Sequence, residues 1–111
     1  MWLPKRRHAN SGRADLRRFP GHCAWVRGHK CSVPGCEQTP IECAHVRAGS
    51  DGGIGFKPSD RYTISLCRHH HSEQHQIGER RFETRYGVDL VALAQRFAER
   101  SPHRDKWRVA D

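Results

Sequence analysis

The segment from Cys67 to His75 places one cysteine and four histidines within nine positions. Upstream, Cys31 and Cys36 are separated by four residues that include a Pro-Gly pair, so the backbone can turn between the two thiols. Thiols and imidazoles at such spacings are typical metal ligands, and an ion that joins distant segments restricts the folds open to a short chain. The sequence therefore predicts a small domain organised around bound metal.

Composition supports a single domain with a thin core. The chain has 111 residues, of which 35% are hydrophobic, and domains of this kind often depend on a metal or a disulfide for stability.

Met1 to Pro4 run directly into basic residues, so we expect no signal peptide, and no apolar run reaches transmembrane length. We therefore expect a cytoplasmic protein, and in the cytoplasm five cysteines serve as metal ligands more readily than as disulfides.

The charge balance favours a polyanionic partner. Lysine and arginine total 20 against 12 acidic residues, giving a net charge of +8. Nucleic acid is the usual partner of so basic a small domain, and no membrane contact is predicted. The alternative is a basic surface that serves solubility only, but the arginines cluster at both ends of the chain and around the histidines.

Periodicity and turn signals predict a small α+β fold. We expect a flexible basic arm over residues 1–20, a folded domain over 21–100 and a frayed polar tail over 101–111. Strands are predicted at 41–46 and 61–66, the second with Tyr62, Ile64 and Leu66 on its apolar face. Helices are predicted at 22–29, 68–76 and 79–86, and a fourth begins after the N-cap Asp89.

The first predicted metal site joins the two cysteine segments. Cys67 and His70 are three residues apart at a helix start and therefore share a face, and Cys31 and Cys36 complete a tetrahedral zinc set. His71, four residues after Cys67, fits as the fourth ligand equally well. Cys23 and Cys43 remain as small apolar residues, although Cys43 could substitute as a ligand.

A second metal site is predicted on the same helix. His71 and His75 are four residues apart, so their side chains point the same way, rotated by about 100° from His70. An ion held by these two imidazoles would keep coordination positions open for water and phosphate. His69 lies on the far side of the helix from His71, and we expect it to face solvent or to contact phosphate. The competing interpretation is a merely polar surface helix.

The order of these parts resembles the HNH endonucleases of the zinc-knuckle variety found in phages and prophages. The resemblance covers roughly residues 22–100 and rests on four motifs, Ala44–Arg47, Ser50–Gly53, Lys57–Arg61 and Cys67–His71. It implies a ββα-metal, treble-clef-like core stabilised by a structural zinc, with flanking helices. It also implies hydrolysis of DNA that leaves 5′-phosphate and 3′-hydroxyl ends. Since no segment of the sequence is typical of a base-reading helix, we expect little sequence specificity.

The resemblance also implies roles for individual residues. His45 matches the general base, a role that suits imidazole because histidine ordinarily titrates near neutral pH. His71 and His75 match the ligands of a single catalytic Mg²⁺, or of another divalent ion such as Mn²⁺ or Ni²⁺. This chain has Ala44 where many members carry a further ligand and Tyr62 near the usual asparagine. Asp60 is then the candidate for metal binding or for orienting His45.

Four cations flank the expected site and suit phosphate contacts: Lys57, Arg61, Arg68 and Arg47. The leading hypothesis is therefore a metal-dependent DNA endonuclease. A noncatalytic zinc-stabilised nucleic-acid-binding module is the alternative, and a zinc protein that mediates protein contacts is a third. Whether the chain is a monomer or a homodimer is left open by the sequence.

Overall fold

The computed structural model describes residues 17–52 and 57–108, so the basic residues expected in the arm (Lys5, Arg6, Arg7 and Arg13) and the central glycine loop at 53–56 lie outside the described residues. The fold is a small α+β arrangement with a two-stranded sheet. Its elements are α1 (Pro20–Val26), β1 (Ile41–His45), β2 (Thr63–Cys67), α2 (Arg68–Ile77), α3 (Glu79–Tyr86), α4 (Leu90–Arg100) and α5 (Asp105–Arg108). Within these ranges, every helix is too short or too polar to cross a membrane.

The two strands pair antiparallel and separate the two groups of predicted metal ligands. Ile41 pairs with Cys67 at one end of the sheet, and His45 pairs with Thr63 at the other. Four residue steps at about 3.3 Å each put these ends about 13 Å apart. Helix α2 starts directly after Cys67 and runs back across the sheet, so that Gln74 Nε2 donates to the carbonyl of His45 (3.2 Å).

Strand β2 is buried on both faces rather than one. Ile64 and Leu66 lie in the core as predicted, but Thr63 and Ser65 are also buried. Ser65 Oγ donates to the carbonyl of Lys30 (2.6 Å), which shows that the segment before the cysteine knuckle covers this second face. The predicted strand start at Arg61 is wrong, because residues 60–62 form a turn closed by the Tyr62 N–H to the Ser59 carbonyl (3.0 Å). Tyr62 is therefore half-buried in a turn.

Helices α2 and α3 and the start of α4 lie within one residue of the predicted positions, whereas α1 begins and ends earlier than the predicted 22–29. Gly78 adopts φ +86°, a conformation that only glycine adopts easily, and so separates α2 from α3. The Asp89 carboxylate accepts from the Ala92 N–H (3.0 Å) and caps α4, whose Leu90 and Ala94 pack into the core beside β2. Phe82 of α3 lies in the same buried cluster, so α3 and α4 both contribute to the core beside the sheet.

Contrary to the expectation of a frayed tail, the end of the described chain belongs to the folded core. Trp107 in α5 is buried, and its ring contacts those of Phe19 (centroids 5.2 Å apart) and His22 (5.0 Å). His22 is fully buried, with Nδ1 2.8 Å from Ser101 Oγ and Nε2 3.2 Å from Thr63 Oγ1. The polar composition of residues 101–111 did not indicate this packing, because it depends mainly on one residue, Trp107.

Candidate metal centre and histidine cleft

A compact Cys₃His cluster lies at the Cys67 end of the sheet. The ligand atoms of Cys31, Cys36, Cys67 and His70 all lie within 4.8 Å of one another. His70 Nδ1 is 3.3 Å from Cys67 Sγ and 3.5 Å from Cys31 Sγ, and the Sγ atoms of Cys36 and Cys67 are 3.9 Å apart. Of the two histidines open as the fourth ligand, His70 joins the thiols. The cluster could hold a metal ion such as zinc.

The spacing of the cluster fits a tetrahedral ion. With bonds of about 2.3 Å to sulfur and about 2.0 Å to nitrogen, tetrahedral ligands lie about 3.8 Å apart for two sulfurs and about 3.5 Å apart for sulfur and nitrogen. Burial raises the pKa of the Cys31 thiol to about 11, so a thiolate there requires a compensating cation. The distances and the donor chemistry therefore both fit a bound metal.

Local structure forms the cluster from three directions. The Cys36 N–H donates to the Val33 carbonyl (3.0 Å), and Gly35 takes φ +80°, as the third position of this turn requires. Cys67 ends β2 and caps α2, accepting from the His70 N–H (3.4 Å). The rings of Tyr86 and Phe82 from α3 pack edge-on to His70 and close the remaining side.

An open cleft of about 530 Å³ lies beside a second face of α2, about 100° round the helix from His70. His45, His71 and His75 line it together, from the end of β1 and from the outer face of α2. The remaining lining residues are Cys43, Arg47, Lys57, Pro58, Gln74, Gly78 and Glu79. The three histidines thus line one surface, although His45 and His75 are 30 positions apart in the sequence.

Asp60 contacts His45 directly. His45 Nε2 lies 2.8 Å from Asp60 Oδ1, and the two side chains are 19% and 8% exposed. Burial alone would raise the pKa of Asp60, but hydrogen bonds from His45, the Phe19 N–H and Arg18 outweigh it and hold the pKa well below its usual range. An ionised carboxylate can only accept, so His45 carries its proton on Nε2 when neutral and Nδ1 keeps its lone pair.

Arg18 and Phe19 hold Asp60 in place. Arg18 Nη1 donates to Asp60 Oδ1 (2.7 Å) and the Phe19 N–H to Oδ2 (2.8 Å). Arg18 also donates to the Pro58 carbonyl (3.0 Å), which ties the segment before α1 to the turn before β2. These residues fall in the stretch expected to be a flexible arm, so two supports of the site were missed.

Of the other two cleft histidines, His71 is positioned by Glu42 in a similar way, and His75 contacts His71. His71 Nδ1 lies 2.7 Å from Glu42 Oε1, and His71 Nε2 lies 3.3 Å from His75 Nε2. The hydrogen bond from His71, followed by that from Arg68, lowers the pKa of Glu42 although burial opposes this. The Glu42 carboxylate therefore contacts Nδ1 of His71, and Nε2 of His71 is directed towards His75.

The four predicted phosphate-contacting cations have different surroundings. Lys57 and Arg47 line the cleft. The Arg68 side chain is exposed and its Nε lies 3.3 Å from Glu42 Oε2, beside the histidine pair. The Arg61 guanidinium lies over the rings of Tyr62 (5.1 Å) and Trp107 (6.0 Å) rather than in the cleft lining. His69 is exposed and is likewise outside that lining.

Three contacts at the site were not predicted from the sequence: Arg18 and Phe19 with Asp60, Glu42 with His71, and Cys23 with Cys43. Strand alternation places Glu42 on the face of β1 opposite His45, and no sequence signal indicates that α2 crosses that edge of the sheet. An acidic residue three positions before a candidate base could have prompted the search for a histidine partner.

Comparison with known proteins gives a family but no activity. Residues 4–103 match the model of DUF968, a family described as proteins of unknown function. The chain belongs to the DUF968 family. It is 32% identical over 101 residues to the uncharacterized protein YdfU of Escherichia coli (strain K12). That match covers 91% of this chain and 26% of YdfU, so the chain spans about a quarter of its relative. No solved structure matches.

Proposed function

We propose that this DUF968 protein is a metal-dependent endonuclease of the HNH class that hydrolyses phosphodiester bonds in DNA. The observation that carries the proposal is the cleft shared by His45, His71 and His75, in which Asp60 and Glu42 orient two of the imidazoles. The strand–strand–helix order from β1 to α2 agrees with the ββα-metal core that the resemblance implies.

His45 is suited to the role of general base. Its Nε2 proton is directed to Asp60, so Nδ1 can accept a proton from water, and the neighbouring carboxylate stabilises the imidazolium that results. Among the described residues, no hydrogen bond to Nδ1 of His45 competes for this atom. Asp60 acts here by positioning His45, which favours the second of the two roles expected for it.

His71 and His75 would hold the catalytic divalent ion, Mg²⁺ or an ion such as Mn²⁺ or Ni²⁺. Bound there, such an ion would neutralise charge on the scissile phosphate and on the leaving 3′ oxygen. Glu42 fixes the ring of His71 through Nδ1, which is the usual support for a metal-binding histidine. Two protein ligands leave positions for water and phosphate, and Lys57 and Arg47 lie in the same cleft.

The Cys₃His cluster would bind a structural zinc. All four positions of a tetrahedral ion would be filled by protein, which is typical of zinc that stabilises a fold and takes no part in reaction. The ion would join the knuckle to β2 and α2. Helix α2 carries His71 and His75, and β2 pairs with β1, which ends at His45. Zinc in the cluster and a second ion in the cleft thus have separate roles.

One observation favours a noncatalytic zinc module that binds nucleic acid. Ala44, at the position where many HNH nucleases carry a further metal ligand, is fully buried in the core. A methyl side chain offers no ligand atom, and Ala44 is not among the residues that line the cleft. A cleft with only two imidazoles would then bind divalent ions weakly.

Cleavage of supercoiled plasmid separates these two functions. Purified protein would be incubated with EDTA, Mg²⁺, Mn²⁺ or Ni²⁺, with wild type beside His45→Ala and His69→Ala. We expect metal-dependent nicking that falls at least about 100-fold in His45→Ala, a typical loss for a general base. His69→Ala is the matched control, because it removes an exposed imidazole from α2 outside the cleft lining.

Two results would contradict the proposal in different ways. If no ion supports cleavage while the protein still retards DNA and retains zinc, the noncatalytic module is the better account. If His45→Ala cleaves as fast as wild type, the base is assigned to the wrong residue. Equal losses in His45→Ala and His69→Ala would indicate damage to the fold.

A further inference from the structure

Two thiols meet at the wall of the cleft and take no part in the proposed chemistry. Cys23 in α1 and Cys43 in β1 are both free and partly exposed, and their Sγ atoms are 2.8 Å apart. Cys43 also lines the cleft beside His45. The pair therefore joins two elements of the fold at a surface open to small molecules.

The spacing of this pair differs from that of the metal cluster. The Sγ atoms of Cys36 and Cys67 are 3.9 Å apart, which suits two ligands of one tetrahedral ion. The 2.8 Å between Cys23 and Cys43 is too short for two such ligands and lies within about 1 Å of the disulfide bond length, about 2.05 Å. The geometry is that of a dithiol ready to form a bond.

We propose that Cys23 and Cys43 are a redox modification site, at which a low-molecular-weight disulfide such as oxidised glutathione converts the two thiols into an intramolecular disulfide. One thiolate attacks the small disulfide, forming a mixed disulfide and releasing one small thiol. The second protein thiolate then attacks the mixed disulfide and releases the other. Two protein thiols and one small disulfide yield one protein disulfide and two small thiols, so electrons and protons balance.

The surroundings indicate that Cys43 attacks first. The contact with Cys23 lowers the pKa of the Cys43 thiol, with Thr63 and Arg27 acting in the same direction, although burial and Asp60 oppose them. The same contact, together with burial and the Asp60 carboxylate, raises the pKa of Cys23. Cys43 also faces the cleft, where the small disulfide would enter, so charge and access favour the same sulfur.

Peptide mapping of the oxidised full-length chain tests the site. Zinc-loaded protein would be treated with oxidised glutathione, alkylated without reduction, and digested with trypsin and a glutamate-specific protease. Cys23 is then released in residues 19–27 and Cys43 in residues 43–47, whereas Cys31 and Cys36 share residues 31–37 and Cys67 lies in 62–68. We expect a 19–27 peptide linked to a 43–47 peptide, reversal by dithiothreitol, and zinc retained throughout.

Cys23→Ser and Cys43→Ser define the order of reaction. Cys23→Ser should stop at a stable glutathione adduct on Cys43, whereas Cys43→Ser should react slowly or not at all. Links that involve Cys31, Cys36 or Cys67, or two persistent glutathione adducts on a wild-type chain, would overturn the proposal. The mapping does not depend on DNA cleavage, so it can fail while the nuclease proposal stands, and the reverse also holds.

Discussion

The Cys₃His cluster and the histidine cleft share one helix but differ in how their ligands are held. The cluster is closed: three of its four residues are buried, and aromatic rings from α3 cover His70. The cleft is open, and carboxylates hold two of its three imidazoles in place. A site with all its ligands in protein suits stability, whereas one with open positions suits a reacting group.

The difference follows from the period of α2. His70 and Gln74 face the sheet and are buried, whereas His71 and His75 lie one residue further round the helix and face outwards. One helix can therefore serve a structural centre and a surface site without either set of ligands competing for the other's ion. This geometry implies that a substitution at one site leaves the other site intact.

The largest effect is expected at the closed cluster. Cys67→Ser should unfold the protein, because metal binding supplies much of the folding free energy of small metal domains, about 10 kcal/mol or more in zinc fingers. Circular dichroism and bound-zinc analysis would measure this. Cys23→Ser is the matched control outside the cluster and should remain folded. A Cys67→Ser protein that melts like wild type would show that the cluster does not hold the fold together.

Acid should destabilise the fold through His22, which belongs to neither site. Burial lowers the pKa of His22 to about 4 from 6.5, although the Asp60 charge opposes this. The unfolded chain therefore takes up a proton more readily, and the stabilisation is complete above pH 6.5 and lost as the pH falls towards 4. At about 1.4 kcal/mol for each pKa unit, the loss is about 3 kcal/mol.

Chemical unfolding at several pH values measures this contribution. The difference in free energy of unfolding between wild type and His22→Gln should shrink by about 3 kcal/mol from pH 7 to pH 4. Acid also protonates the cluster ligands, but that loss is common to both proteins and cancels in the difference. A difference that stays constant with pH would mean that His22 is not held neutral in the fold.

Asp60→Asn tests how the open site is organised. The amide can donate to His45 Nε2 and so favours the wrong tautomer, which should lower cleavage on the order of 100-fold or more. Zinc content should stay at the wild-type value, since Asp60 lies at the far end of the sheet from the cluster. If cleavage rates in Asp60→Asn and wild type were equal, Asp60 would not position the base.

The smallest effect is expected from Glu42→Gln. Loss of the charged partner of His71 should weaken binding of the second ion by roughly 10-fold, as is typical for residues that support metal ligands. Calorimetric titration of Mn²⁺ into zinc-loaded protein would show the change as a higher Kd. Glu37→Gln, which alters a carboxylate that is not in the cleft lining, is the control and should leave the Kd unchanged.

Local patterns predicted the cluster and the helices well. The spacing of Cys67 and His70 on one helix turn, the Pro-Gly turn and the Asp89 cap are all short-range features, and each appears in the structure. The choice between His70 and His71 as the ligand required the direction in which α2 packs. That direction is a tertiary property, and the sequence left it open.

Contacts between distant segments account for what was missed. The Trp107 ring reaches Phe19 across 88 positions, and the Cys23–Cys43 contact joins a helix to a strand. Both depend on how α1 docks against the sheet, which no periodicity encodes. The role of Glu42 was hidden for the same reason, because its partner lies 29 positions away on α2.

The most direct test of the account is to measure cleavage and metal content together. Protein would be purified with zinc, freed of loosely bound ions, and assayed on plasmid DNA before and after Mg²⁺ or Mn²⁺ is added. The account predicts one tightly held zinc per chain, no cleavage with that zinc alone, and cleavage when the second ion is supplied. Cleavage by the one-zinc protein without a second ion would contradict the separation of the two sites, and so would the absence of cleavage with every ion tried.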